Sequence, residues 1–537
     1  MSSSLSEIDA SFSGPPGFRI VDRLAIAESG VDPIGLRQLN LDLMDETVPG
    51  INNVTMLVRP YCFMAWAWWK ARQVVAIDGE VDAGEMAELV ARYEAIYAWA
   101  HCLAENPFRG AATVRAYMPL KGSSESFSFK GEKWEQYKKR RTSIMAPTEY
   151  GPSLKSLHFL QSERQGTFRC SQEAEAAVVQ IDKAVSSCIP THILARKPPS
   201  VTCEQVEPIA IKLPIQEASK KERDVFRFLF YQAGASDRAH RDMRRRKATI
   251  DLIRDVMPPS GREVSVSEIR RRLAAGGSSR KDPEVQISSV LLAILQARQL
   301  QRLAVESMML WVERSLSNNV AEGKRTEQLA IEANSEASKY DDMVASSKSV
   351  AEYVDAVLAT GNGIGWPKAA ASAKTDIVEL MGLLQEAQRR DMPKIPGLAL
   401  RAFAVVYAIT QAMRESVEKL PETPNPIEAR PDRLPMGLMV RRIDAIRSKP
   451  LVSLWCDVIE NWIVAQHVHW SAIRSIDGKK RLRIALETSG WIRVRSSPSR
   501  AFVPTPDRLL TLLSLGSECG LFKRLDRDQP LFGRTVG

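Results

Sequence analysis

The residues that could form a catalytic site in this 537-residue chain are few and scattered. Gly361, Gly363 and Gly365 form a G-x-G-x-G run, but it follows a predicted helix, whereas a dinucleotide-binding loop follows a strand. The chain has no G-x-x-x-x-G-K-[ST] string, so we expect no P-loop for ATP. His467 and His469 are two apart on a predicted helix, where they diverge, and a metal site there would need ligands from elsewhere. The sequence favours a non-catalytic protein without metal or cofactor.

A metal-dependent nuclease is one alternative. Such a site needs carboxylates that hold Mg²⁺ and a lysine near the scissile phosphate. Asp477-Gly478-Lys479 and Glu322-Gly323-Lys324 match the short acid-x-Lys string. Both lie in a predicted turn or polar helix and not on a strand, so we do not assign them a catalytic role.

Clustered basic residues are the stronger signal. The net charge is +10, and two segments carry most of the excess: thirteen basic against six acidic residues in 236–281, and eight against two in 474–500. Concentrated positive charge favours a polyanion through phosphate contacts and counterion release. These cations could instead line solvated helix faces or dock an acidic protein partner. The residues predicted to contact nucleic acid, DNA rather than RNA, are Arg244, Arg245, Arg246, Lys247, Arg270, Arg271, Arg272, Lys479, Lys480, Arg481, Arg483, Arg493 and Arg495.

Composition indicates a globular protein of several domains, with 44% hydrophobic and 26% charged residues. The most apolar uncharged runs, 60–69 and 402–413, are shorter than the ~18 residues that span a bilayer, so we expect no membrane segment. The seven cysteines are scattered and never form a C-x-x-C pair. A reducing cytoplasm is therefore the expected location.

Hydrophobic periodicity predicts a mainly α-helical, multi-domain fold. Phe63, Trp66 and Trp69 lie three apart on a helix after Pro60 that is apolar on nearly every face, which is typical of a buried helix, although aromatic residues also stack on bases. A long helix from Pro283 to Leu316 is predicted to form a spine between domains. The predicted divisions are a disordered tail (1–17), an N-terminal helical domain with some strand (18–190), a linker (191–215), a basic helical domain (216–317), a polar linker or exposed helix (318–345), a helical domain (346–420), a Pro-rich linker (421–445) and a winged-helix-like domain (446–537).

Two predicted units carry the basic clusters. Residues 236–275 read as a basic helix and a second short basic helix, a candidate helix-turn-helix without a recognisable wing. In 451–524 the predicted order is helix, basic helix (479–488), hairpin around 496–499 and a final helix capped by Thr505. The stretch ALETSGWIRVRSSPSRAFVPTPDRL within it resembles the recognition helix and wing of bacterial winged helix-turn-helix regulators. That resemblance implies either DNA contact or protein docking.

Three further segments, PGINNVTMLVRPYCFMAW, RQLQRLAVESMMLWVE and TPDRLLTLLSLGSECGL, are similar to uncharacterised bacterial proteins encoded among phage-defence genes. The resemblance implies a role in defence and brings no site residues. The sequence therefore predicts a cytoplasmic bacterial protein that binds nucleic acid as a component of a defence complex with protein partner subunits. The alternatives are a scaffold whose basic faces dock an acidic partner, and the nuclease considered above.

Overall fold

The chain folds mainly into α-helices, as its periodicity predicts. The computed structural model describes residues 32–53, 55–76, 82–108, 110–140, 153–163, 167–197, 200–236, 239–259, 262–275, 281–360, 376–420, 425–474, 481–525 and 530–535. The predicted tail, 1–17, and Gly361, Gly363 and Gly365 lie outside these residues.

The helices are α1 (Arg37–Thr47), α2 (Val58–Val75), α3 (Ala83–Leu103), α4 (Ala111–Tyr117), α5 (Glu132–Arg140), α6 (Glu175–Ser186), α7 (Cys203–Lys212), α8 (Lys220–Phe230), α9 (Arg241–Val256), α10 (Val266–Ala274), α11 (Pro283–Ser315), α12 (Thr326–Tyr340), α13 (Asp342–Ser346), α14 (Val350–Thr360), α15 (Ile377–Arg390), α16 (Ile395–Glu418), α17 (Met436–Ala445), α18 (Leu451–Asp457), α19 (Ala465–Ile473) and α20 (Leu509–Glu518). A π-helical segment, Val458–Val464, joins α18 to α19.

The strands are short: β1 (Phe127–Ser128), β2 (Leu160–Ser162), β3 (Phe168–Cys170), β4 (Ser200–Val201), β5 (Val264–Ser265), β6 (Ile484–Glu487), β7 (Gly490–Arg493), β8 (Phe522–Arg524) and β9 (Leu531–Arg534). The antiparallel pairs are β1 with β4, β2 with β3 and β6 with β7, and a three-stranded sheet has the order β5-β9-β8.

The central element is α11, a helix of 33 residues that is buried along most of its length. Asp282 caps its start by accepting a hydrogen bond from the main-chain N–H of Glu284 (2.9 Å), and Pro283 suits the first turn because its missing N–H is not needed there. The predicted helix from Pro283 to Leu316 is confirmed to within one residue. Helices α1, α9, α10, α15 and α16 all pack against α11.

The aromatic helix α2 belongs to the core. Tyr61, Phe63 and Trp66 are buried, and the rings of Phe63 and Tyr97 stack with their centroids 4.0 Å apart. The indole N–H of Trp66 donates to the Asp182 carboxylate (3.0 Å). Buried rings offer no face to a base, so these three residues contribute hydrophobic packing.

The segments 191–215 and 421–445, predicted as linkers, and 318–345, predicted as a polar linker or exposed helix, contain helices with buried faces in their described residues. Residues 198–199 and 421–424 lie outside the described residues. The proline and polar composition that indicated linkers is compatible with helix starts: Pro435, for example, is the N-cap residue of α17. Buried hydrophobic residues from Ile34 to Phe532 form one contiguous cluster, so the core does not divide at these segments. The buried residues of α7, α12 and α17, one helix from each of these segments, include Val206, Ile209, Leu329, Ala333, Met439 and Val440.

The predicted basic recognition helix, 479–488, is wrong in its described part. Residues 484–487 form β6, and the chain turns at Thr488 and Ser489, not at 496–499. Gly490 takes a φ of +128°, which only glycine adopts easily, and Trp491 exchanges two main-chain hydrogen bonds with Lys324 (3.1 and 2.8 Å). Pairing with a distant segment therefore outweighs the local helical pattern. The final helix begins at Leu509 rather than after Thr505.

One stretch of helix, Met392–Glu418, has the length and apolar composition of a membrane span, and 72% of its most apolar window is buried inside the protein. A core helix of a soluble protein has the same properties, and α16 packs on α11 in this way.

Candidate nucleic-acid interface

The first predicted cluster, on α9, is largely engaged inside the protein. Arg246 is fully buried and donates to the carbonyl oxygens of Phe230 (2.9 Å), Leu229 (2.9 Å) and Pro49 (2.8 Å). Burial lowers its pKa to about 10. This guanidinium caps the end of α8 and does not face solvent.

The neighbours of Arg246 are less deeply placed. Arg245 is buried and lies 3.3 Å from the Glu284 carboxylate, while Lys247 donates to Asp251 (2.5 Å). Arg244 is the most exposed of the four, with 40% of its side chain accessible, and it is the member of this cluster best placed to meet a ligand.

The three arginines of α10 are ion-paired. Arg270 makes a bidentate contact with Asp507 (2.6 and 2.9 Å), a geometry that fixes both groups. The other two share Glu268: Arg271 and Arg272 each donate to it at 2.8 Å, and Arg271 also donates to Asp376. These side chains tie α10 to distant parts of the chain.

In the C-terminal cluster, Lys479 and Lys480 lie outside the described residues. Arg483 is buried and lies 3.3 Å from Glu313, and burial lowers its pKa. Arg493 donates to the carbonyl oxygens of Glu313 (3.2 Å), Arg495 (2.9 Å) and Ser496 (3.2 Å), and Arg481 donates to the carbonyl of Arg474. Arg495 is half-buried. The hairpin therefore brings Arg483 and Arg493 to Glu313, near the end of α11.

A second unit forms around α9, α10 and the start of α11. These helices pack on one another, and β5 lies between α9 and α10 in the chain. Strands β8 and β9, here called the C-terminal ribbon, complete a sheet with β5 through the pairs Val264–Phe532 and Phe522–Arg534. Arg534 anchors the ribbon by donating to the last carbonyls near α9, those of Asp255 and Met257 (2.8 and 2.7 Å).

Exposed cations surround this unit. Lys523 and Arg524 lie on β8, which is an edge strand, Arg262 precedes β5, and Lys281 precedes α11. The sequence indicated a helix-turn-helix here but no wing, because the ribbon that completes the sheet comes from the far end of the chain. No local signal could have shown that pairing.

An arginine-lined pocket is the second feature that the sequence did not predict. It has a volume of about 260 Å³. Its described lining contains no carboxylate and consists of Arg37, Arg302, Arg483, Arg500 and residues of an extended segment, 499–507, which we call the strap. Of the thirteen predicted residues, Arg483 is the one that lines it.

Side chains of α11 hold the strap in place. Gln299 donates to the carbonyl of Thr505 (2.5 Å), Gln296 donates to Asp507 (3.2 Å), and Glu313 accepts from the main-chain N–H of Ser499 (2.7 Å). No strand among the described residues pairs with the strap, so these polar groups satisfy hydrogen bonds that a sheet would otherwise supply.

The two buried arginines of the lining, Arg302 and Arg483, each pair with a carboxylate on α11 that lies outside the lining; we call these two ion pairs the floor of the pocket. Arg302 lies 3.0 Å from Glu306 and also donates to the hydroxyl of Thr505, and Arg483 pairs with Glu313. Burial raises the pKa of Glu306 to about 7, although Arg302 opposes the shift. A polar stripe on an otherwise apolar helix, with Gln296, Gln299, Arg302 and Glu306 spaced three or four apart, is the sequence signal that could have located this site.

No metal centre accompanies either feature in the part of the chain that the structure describes: no group of three His, Cys, Asp or Glu side chains is placed to hold an ion. His467 is buried, and both of its ring nitrogens have main-chain partners. One lies 3.1 Å from the carbonyl oxygen of Pro33, and the other accepts a hydrogen bond from the N–H of Arg483 (2.8 Å). Burial lowers the pKa of His467 to about 4. Glu322 ends a short 3-10 turn, and Asp477 lies outside the described residues.

Comparisons with known proteins give no family for the chain: no protein-family model, no curated protein and no solved structure matches it.

Proposed function

We propose that this chain is a non-catalytic nucleic-acid-binding protein, with DNA as the preferred ligand. Its interface is the unit of α9, α10 and the start of α11 together with the C-terminal ribbon. The observation that carries the proposal is the pairing of β9 with β5, since a β-ribbon beside a helix-turn-helix is the arrangement of winged helix-turn-helix proteins. The proposal moves the winged-helix-like unit from residues 446–537 to 241–298 and 522–534.

Exposure supports this choice of surface. We take α10 and α11 as the two helices of the helix-turn-helix, in place of the pair predicted over 236–275. In such a motif the N-terminal residues of the second helix reach the base edges. At the start of α11 the residues Lys281, Pro283 and Gln286 are exposed. Lys523 and Arg524 on the ribbon of the same unit are exposed as well. Phosphate contacts from the ribbon would position the duplex, and α11 would supply the contacts to bases.

The test is fluorescence anisotropy with duplex DNA, single-stranded DNA and RNA over a salt series with Mg²⁺ present, followed by a gel that checks the probe. The variant Lys523→Ala with Arg524→Ala should bind duplex DNA more weakly. Its slope of log K against log salt should be shallower by about 2, because each phosphate contact contributes about 0.9. The probe should remain intact.

The matched control is Arg389→Ala with Arg390→Ala, two exposed cations at the end of α15. It should bind like the parent. Equal loss in both variants would mean that only overall charge matters, and an unchanged slope in the ribbon variant would remove the ribbon from the interface. Cleavage of the probe would revive the nuclease alternative.

Membership of a defence complex rests on the resemblance of the three short segments and adds the expectation of partner subunits. Purification from the native host after nuclease treatment tests it. Absence of nucleic-acid binding at low salt, together with a partner that survives the nuclease, would favour the scaffold alternative.

A further inference from the structure

The arginine-lined pocket carries more positive charge than its own carboxylates neutralise. Four guanidinium groups line it, and the two carboxylates that pair with them are Glu306 and Glu313. The local balance with both carboxylates ionised is therefore +2. A dianion would complete the neutralisation of these six groups.

The cations of the pocket are of two kinds. Arg302 and Arg483 are 4% and 2% exposed, and their hydrogen bonds to Thr505 and Ser499 on the strap fix them in place. Arg37 is half-buried and Arg500 is exposed, and neither guanidinium has a hydrogen-bond or ion-pair partner among the described residues. A fixed pair of deep cations with two adjustable ones at the rim is suited to bidentate recognition of an oxyanion.

The volume of the pocket and the chemistry of its walls limit the kinds of ligand that fit. The volume of about 260 Å³ is below the ~300–1,000 Å³ of pockets that enclose a drug-sized ligand, so a phosphate group and its first substituent fit while the remainder stays outside. The other walls are apolar and come from Phe502, Val503, Pro504 and Pro506 on the strap. Such walls suit the carbon skeleton that follows an ester oxygen.

We propose that this pocket binds a phosphate monoester, with the dianionic group held by Arg37, Arg302, Arg483 and Arg500 and the esterified group directed towards the rim. The inference does not depend on the proposed nucleic-acid interface, because the pocket and the ribbon are formed by different residues. A free mononucleotide and the terminal phosphate of a nucleic-acid strand present the same chemistry.

Isothermal titration calorimetry on the full chain tests the pocket with inorganic phosphate, adenosine 5′-monophosphate and adenosine. The monophosphate should bind and adenosine should not. Arg37→Gln with Arg500→Gln should weaken binding of the monophosphate about tenfold or more, since each change removes a charge-assisted hydrogen bond. Both positions are away from the core, so circular dichroism and the Tm should stay as in the parent.

The control variant is Arg389→Gln with Arg390→Gln, which removes the same charge outside the pocket and should bind the monophosphate normally. Equal binding of adenosine and its monophosphate, or parent-like binding by the Arg37 and Arg500 variant, would overturn the proposal.

Two oligonucleotides of one sequence, with a 5′-phosphate or a 5′-hydroxyl, separate the two sources of the phosphate. Tighter binding of the phosphorylated strand, lost in the pocket variant, would identify a strand end as the ligand. Equal binding of the two strands with retained monophosphate binding would identify a free nucleotide. Monophosphate binding without any oligonucleotide binding would leave this inference standing and remove the proposed nucleic-acid function.

Discussion

Replacing Arg246 with alanine is expected to destabilise the fold by about 4–5 kcal/mol and to leave the nucleic-acid interface intact. The guanidinium makes three short hydrogen bonds, to the carbonyl oxygens of Phe230, Leu229 and Pro49 (2.8–2.9 Å), and a longer one to that of Ser156 (3.4 Å). A hydrogen bond from a charged donor contributes about 1.5–3 kcal/mol. Three at the lower end give about 4–5 kcal/mol, before the cost of leaving buried carbonyls unpaired at the end of α8.

Urea denaturation at neutral pH measures this loss as a lower midpoint with an unchanged m-value. Arg244→Ala is the matched control, since this neighbour on α9 is 40% accessible and should change stability by no more than about 0.5 kcal/mol. Arg246→Lys should recover only part of the loss, because an ammonium group cannot donate to carbonyls spread around a planar fork.

DNA binding by the Arg246→Ala variant, measured where it remains folded and corrected for the folded fraction, should equal that of the parent. The reasoning fails if the variant unfolds at the parent's midpoint but loses DNA binding, because the side chain would then face the ligand and not the end of α8.

Two further predictions concern the pocket floor and the hairpin. Burial raises the pKa of Glu306 from 4.5 to about 7. Between these two pH values the folded protein therefore holds a proton that the unfolded chain has lost. The proton stabilises the folded state by about 3 kcal/mol below pH 4.5, and this stabilisation is lost as the pH rises through 7. Glu306→Gln should flatten the stability profile between about pH 4.5 and 7, and an unchanged profile would contradict the assignment. Gly490→Ala should lower the free energy of unfolding by more than about 2 kcal/mol, because the added Cβ would lie 2.6 Å from the main chain of Lys324. The control Gly382→Ala lies in open space on α15 and should raise the free energy of unfolding by about 0.5–1 kcal/mol. Similar Tm shifts for both variants would refute the strain argument.

Helices could be predicted well where the residues that start the helix and the residues of its apolar face lie in one continuous stretch of sequence. For α11, Asp282 and Pro283 mark the start and the apolar repeat marks the length, so the predicted and observed bounds agree. The helical class of the fold follows from the same local signals. The prediction of a basic helix over 479–488 is wrong in its described part, because residues 484–487 pair with 490–493, and Trp491 in turn bonds to Lys324 from more than 150 residues away.

The roles of single arginines could not be predicted because their partners are distant in the chain. Arg270 meets Asp507, and Arg483 meets Glu313, across separations of 237 and 170 residues. Without the fold, an arginine that completes a buried ion pair looks the same as one that faces solvent. The pocket illustrates the converse case, since Arg37 lies outside both basic clusters and meets Arg500, at the end of the second cluster, only in the folded chain.

Net charge is consequently an incomplete guide to what a polyanion encounters on this protein. Arg246 and Arg298 are both fully buried, and each donates to main-chain carbonyls, Arg298 to those of Leu434 and Arg433 (2.6 and 2.7 Å). Part of the +10 charge is therefore inside the protein. Contact by all thirteen predicted residues would require a salt slope of about −12. A measured slope of only a few units would match the exposed cations of the ribbon and α9, whereas a value near −12 would require Arg270, Arg271 and Arg483 to leave their carboxylates when DNA binds.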